Sequence, residues 1–137
     1  MKFPYNFLRS SRGHPIVPVI VESGGRRQIV VGLLDTGADV CLLPYRKSLE
    51  LGVSLGAPRT IGTATGQRIS CRPGVVTLEL RSTTETIRWR GEVGFTAAPL
   101  SVPIFGDCGF LEFFHNAFDG QLREVELTPR PNLPRDG

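Results

Sequence analysis

Val30-Val31-Gly32-Leu33-Leu34-Asp35-Thr36-Gly37-Ala38-Asp39 places an acidic residue directly at the end of an apolar, β-branched run. Such a run reads as a buried strand, and it delivers Asp35 from the core to a tight loop. Thr36 supplies a hydroxyl for local bonding or for a partner. Gly37 lets the backbone approach closely and aim its N–H at the carboxylate. A strand ending in an Asp-x-Gly turn is common by itself. Here the flanks add weight: two leucines precede the triplet, Ala38 and Asp39 follow it, and Val40, Leu42 and Leu43 lie beyond.

Outward from this stretch, the rest of the sequence reads as an all-β domain. The 16 glycines and 11 prolines are spread along the 137 residues and cut short β-branched runs apart. Ile16 to Val21 is apolar but holds Pro18, which suits an edge strand. Ser23-Gly24-Gly25 is a turn, and Gln28 to Leu34 completes a hairpin. Thr86 to Phe95 has the cleanest period of two, with Ile87, Trp89, Gly91, Val93 and Phe95 on one face. Val76, Leu78 and Leu80 share a face of another strand.

Pro44 to Leu51 predicts a short helix, with Pro44 at its start and Gly52 after its last turn. A second short helix is expected from Asp107 to about Phe114, capped by the Asp107 carboxylate. A final strand is expected over Leu122 to Leu127. The organisation read from this is an N-terminal extension over 1–13, one domain over 14–128, and a flexible, proline-rich tail over 129–137.

Composition narrows the class. Hydrophobic residues make up 40% and charged residues 21%, as in a globular domain. No stretch reaches the roughly 18 apolar residues of a spanning helix, and Met1 to Arg12 lacks the apolar run of a secretory signal. A cytoplasmic protein with no membrane span is expected. The net charge of +3 is mild and its arginines are scattered, which argues against nucleic acid as a partner. Cys41, Cys71 and Cys108 are odd in number and form no C-x-x-C pair, so neither a disulfide framework nor a zinc site is expected. No cofactor and no metal is expected.

Leu33-Leu34-Asp35-Thr36-Gly37-Ala38-Asp39 resembles the active-site motif of retropepsin-like aspartic proteases. Pro103-Ile104-Phe105-Gly106 resembles the family's later apolar segment, which threads beside the Asp loop. The resemblance covers about Ile16 to Leu127. It implies an acid-protease barrel with a flap hairpin and one or two short helices. It also implies catalytic roles for Asp35, Thr36 and Gly37, and substrate contacts from Ala38, Asp39 and a flap tip at Thr63, Ala64, Thr65 and Gly66. One position departs from the pattern. The family commonly has Arg after the later glycine, pairing with the second Asp, whereas this chain has Asp107, which would face Asp39 with like charge. Either another Arg takes the role or Asp107 turns away to cap the helix.

Peptide hydrolysis of this kind needs two carboxylates roughly 3 Å apart sharing one proton. The chain has a single Asp-Thr-Gly and no Asp-Ser-Gly. A homodimer acting on polypeptide, with one Asp35 from each copy, is therefore expected. The alternative is a non-catalytic module of the same fold that dimerises or binds peptides.

Overall fold

The computed structural model describes residues 1–7, 10–63 and 65–135. Strands β1 (Lys2–Pro4), β2 (Ile16–Ser23), β3 (Arg26–Leu34) and β4 (Leu42–Pro44) precede helix α1 (Tyr45–Leu51). Strands β5 (Arg59–Gly62), β6 (Arg68–Arg81), β7 (Thr86–Thr96) and β8 (Ile104–Phe105) follow. A single 3-10 turn (Leu111–Phe113) then leads into β9 (Phe114–Asp119) and β10 (Glu124–Pro129). The larger sheet has the order β2-β3-β8-β4-β7-β6-β5, and a further β2–β6 pairing closes six of its strands into a ring. A smaller sheet has the order β1-β10-β9.

Local chemistry accounts for most of these elements. The β2–β3 hairpin turns on Gly24 and Gly25, with φ of +55° and +82°. Two successive positive φ values are what a two-residue type I′ loop needs. Pro18 lies on the half of β2 that pairs with β3 alone, while β6 pairs only with Ile20 to Glu22. Its missing N–H is therefore no loss to the sheet. Helix α1 ends where Gly52 turns left-handed at φ +67° and its amide donates to the Leu49 carbonyl (3.3 Å).

The core gathers on the inward face of β7. Trp89 is fully buried and donates its indole N–H to the Gly109 carbonyl at 2.9 Å. Its ring meets Phe110 and Phe114 edge-on, with centroids 5.0 and 5.1 Å away. Aromatic rings favour that geometry because a positive edge meets a negative face.

The expected helix from Asp107 to Phe114 is corrected to the one 3-10 turn. Gly109 sits at φ +86°, which breaks a right-handed helix, and Phe114 already starts β9. The Asp107 carboxylate caps nothing among the described residues; Glu112 Oε2 accepts from the Gly109 amide instead, at 2.6 Å. The last strand starts at Glu124 rather than Leu122, because Asp119 Oδ1 holds the amides of Gln121 and Leu122 in a turn (2.9 and 2.8 Å).

Both chain ends make specific contacts. Lys2 to Pro4 pairs with Glu124 to Glu126, and the Met1 carbonyl accepts from the Leu127 amide at 2.8 Å. Beyond β10, Leu133 is buried in the core, and the Pro134 carbonyl accepts from the Arg90 amide (3.3 Å). Leu133 supplies the apolar surface that anchors a segment otherwise rich in proline.

One buried charge stands out. Glu79 on β6 is 3% exposed and lies beneath three guanidinium groups. Arg88 bonds it at 2.8 Å, Arg27 at 3.3 Å, and Arg81 closes the set. Burial pushes the carboxyl up, but the Arg88 and Arg81 hydrogen bonds outweigh it and hold it below the ordinary glutamate range. A depressed folded-state value adds stability above the unfolded value, and that stability is lost as pH falls through the folded one. Glu79→Gln is therefore expected to cost about 1–2 kcal/mol near neutral pH. The difference from wild type should shrink as pH drops below the ordinary value of about 4.3. Urea unfolding from pH 7 to 3 checks it; a difference that is constant with pH contradicts it.

Candidate active site

Strand β3 carries Leu34 into the core and stops at Asp35. Leu33 and Leu34 pair in parallel with Ile104 and Phe105 of β8, and the Asp35 amide donates to the Phe105 carbonyl at 3.0 Å. The backbone of Asp35 is thus fixed on a buried strand while its side chain reaches the surface half-buried. The Gly37 amide donates to Asp35 Oδ1 at 2.9 Å, and the Ala38 amide to the Asp35 carbonyl at 3.2 Å. These two bonds wind the triplet into a tight loop and orient the carboxylate.

The chain then returns on the other side of β8. Val40 bridges Cys108, and Leu42 of β4 pairs with Ile104. Strand β8 therefore lies between the strand entering the Asp35 loop and the one leaving it. Two more bonds clip the crossing: the Asp107 amide to the Ala38 carbonyl and the Cys108 amide to the Asp39 carbonyl, both 2.9 Å. Gly106 sits directly beneath. A Cβ there would lie 2.4 Å from the Val40 carbonyl oxygen and 2.5 Å from that of Ala38, so only hydrogen fits.

A cavity of about 450 Å³ opens over this loop. Asp35, Gly37, Ala38 and Asp39 form one wall, and Thr60 to Thr63 of the β5–β6 hairpin form another. Val40, Leu42 and Ile104 make its remaining surface apolar. Among the described residues Asp35 and Asp39 are the only charged groups lining it. Among the described residues no cation pairs with Asp35, Asp39 or Asp107. Thr36, Gly37 and Asp39 are exposed, so the loop presents an open face in the single chain.

The structure brings Asp35, Gly37, Ala38, Asp39 and Thr63 around one cavity, whereas Thr36 faces outward beside it. At the hairpin tip the Thr63 amide donates to the Gln67 carbonyl (2.8 Å) and the Gly66 amide to the Thr63 carbonyl (3.0 Å). Thr65 and Gly66 are exposed there, Gly66 at φ +84°; Ala64 lies outside the described residues. Sequence reasoning named none of Thr60, Ile61, Gly62, Val40, Leu42 and Ile104 as site residues, although the family resemblance puts Thr60 to Ile69 in the flap hairpin and Ile104 in the segment beside the Asp loop. Proximity to the triplet could have suggested Val40 and Leu42. Ile104 arrives through long-range pairing with Leu33 and Leu42, and the β5 residues through the local β5–β6 hairpin.

Among the described residues no cysteine lines this cavity. Burial pushes Cys41 up to about 12. Cys108 is also raised, by burial and then by the Glu112 and Glu92 carboxylates. Among the described residues no group of three or more His, Cys, Asp and Glu could hold a metal ion.

A retropepsin-like aspartic protease from Rickettsia conorii is similar to this chain with a TM-score of 0.56 and 18% identity, over 93% of this chain and 88% of that one. The fold is retropepsin-like. EIAV protease complexed with the inhibitor HBY-793 is also similar, with a TM-score of 0.47 and 24% identity over 76% of this chain and 88% of that one. No family model and no curated protein matches the sequence. The retropepsin-like fold agrees with the barrel and short helical pieces read from the sequence. Among the described residues no helix is long and apolar enough to cross a membrane.

Proposed function

We propose that the chain is an aspartic endopeptidase that works as a homodimer, with Asp35 of each copy meeting on the two-fold axis. One observation carries this reading. Asp35 is held rigidly at a strand crossing, oriented by the Gly37 amide, unpaired by any cation among the described residues, and open on its outer side. The sequence holds a single Asp-Thr-Gly, and the other acid lining the cavity, Asp39, lies in the same loop. The second carboxylate therefore comes from a second copy.

Two such carboxylates roughly 3 Å apart cannot both ionise, so they share one proton. The ionised partner takes a proton from a bound water as that water's oxygen attacks the peptide carbonyl carbon. The protonated partner gives its proton to the carbonyl oxygen, forming a neutral tetrahedral diol. Return of a diol proton to a carboxylate and delivery of a proton to the nitrogen break the C–N bond and release amine and acid. Thr36, exposed beside Asp35, is placed to bond the other copy's loop. The Ala38–Asp39 backbone and the hairpin tip from Thr63 through Ala64 and Thr65 to Gly66 hold an extended substrate as an added strand. Closing the hairpin excludes water and strengthens the electrostatics.

The test is cleavage of a mixed peptide library by wild type and by Asp35→Asn. Cleavage by wild type alone supports the proposal; equal cleavage by both sinks it. Peptide binding without turnover is the second reading, and the like charges of Asp39 and Asp107 favour it. A peptidomimetic whose hydroxyl imitates the diol separates the two, since tight binding that depends on Asp35 belongs to an enzyme.

A further inference from the structure

Thr60 to Thr63 wall the Asp35 cavity, but the returning strand of the same hairpin walls a different groove. With α1 and the residues after β7, it encloses two adjoining spaces of about 530 and 340 Å³ that share Tyr45, Ala97 and Ala98. Phe95 and Ala98 give the groove an apolar floor. Arg68, Arg72 and Arg46 stand along it, and among the described residues no carboxylate lines either space.

The charge is not neutralised from nearby. Arg72 donates to the carbonyls of Gly56 and Leu55 (2.9 and 3.4 Å), which fixes its guanidinium without cancelling it. Arg46 and Arg68 are exposed, and no acid pairs with either among the described residues. Glu50 is engaged by Lys47 at 3.6 Å, and Glu92 by Arg59 at 2.8 Å. The Asp35 cavity has the opposite sign, with two carboxylates and no cation among the described residues. One hairpin thus borders two sites of contrary charge.

We infer that this groove is an exosite for an acidic stretch of the polypeptide substrate, lying away from the bond to be cut. The word substrate rests on the peptidase reading; the groove's preference for acidic polypeptide does not. Charge complementarity selects carboxylates, and the apolar floor selects a hydrophobic side chain between them. A single strand of nucleic acid fits less well, because it needs a longer cationic track with stacking aromatics, and among the described lining residues the only rings are Tyr45 and the buried Phe95.

The test uses the full chain carrying Asp35→Asn, so that binding is read without turnover. Fluorescence anisotropy follows three labelled probes: a short peptide of glutamates around one leucine, the same peptide with glutamine for glutamate, and single-stranded DNA. The acidic peptide is expected to bind and the glutamine peptide not. Arg46→Glu with Arg68→Glu is expected to weaken binding at least about tenfold, and added salt to weaken it further. Both arginines are exposed, so far-UV circular dichroism of the variant should match the parent; if it does not, Arg46→Gln alone is measured and should still weaken binding. Equal binding of the glutamine peptide, indifference to the substitutions, or tighter binding of DNA through the same arginines overturns the proposal. Wild-type cleavage of short neutral peptides is assayed separately. Acidic binding without such cleavage rejects the peptidase reading and keeps the groove, whereas cleavage without acidic binding rejects the groove alone.

Discussion

Asp35→Asn is expected to lower the turnover of a cleaved peptide by three orders of magnitude or more, while the fold and the dimer persist. General acid and base roles are each worth about 10²–10⁴ in rate, and this substitution removes both from a symmetric site at once. Asparagine keeps the size of the side chain and an oxygen for the Gly37 amide, whose bond to Asp35 Oδ1 is 2.9 Å. The Asp35 amide still donates to the Phe105 carbonyl, so the crossing of the loop over β8 is undisturbed. What is lost is the capacity to carry a proton. Initial rates on a single fluorogenic peptide, with circular dichroism and solution mass as controls, check this. A loss of less than tenfold with an intact dimer would assign the chemistry elsewhere.

Trp89→Ala is expected to be the most damaging single truncation of the core, at about 3–5 kcal/mol. The side chain is fully buried against Phe110 and Phe114, and its indole N–H satisfies the Gly109 carbonyl at 2.9 Å. Removal opens a cavity, breaks two edge-on ring contacts and leaves a buried acceptor unpaired. A domain has only about 5–15 kcal/mol in total, so the variant should unfold at markedly lower urea concentration. Trp89→Phe keeps a ring but not the donor, and should fall between. Trp89 is the only tryptophan, so circular dichroism rather than fluorescence must report the transition. A cost below 1 kcal/mol for the alanine variant would mean that the aromatic cluster does not organise this end of the barrel.

The parts legible in the sequence were those set by local chemistry. The strict alternation around Trp89, the Gly24-Gly25 loop and the helix between Pro44 and Gly52 each follow from neighbours a few residues apart, and β7, the β2–β3 hairpin and α1 stand where they were read. The Asp-Thr-Gly loop was legible because strand, carboxylate and glycine are contiguous. Elements set by distant pairing were not. The aromatic run from Phe110 to Phe114 reads as helical, yet Phe114 pairs with Pro129, and Gly109 turns left-handed at a position where a Cβ would also lie 2.4 Å from the Glu92 carbonyl oxygen. The wall contributed by Ile104 depends on a contact between strands far apart in sequence, β8 beside β3, which only the family resemblance implied. Asp107 illustrates the same limit. Its backbone amide is committed to Ala38, and no cap by its carboxylate is needed once Glu112 reaches Gly109.

A subunit-mixing experiment bears most directly on one carboxylate from each of two chains. Wild type and Asp35→Asn are combined in varied proportion, dissociated together in urea and returned to native conditions at constant total protein. If each active site needs two Asp35 side chains, peptidase activity should follow the square of the wild-type fraction, one quarter remaining at equal proportions. Activity that falls linearly, with one half remaining, would show that each chain works alone and would contradict the shared site.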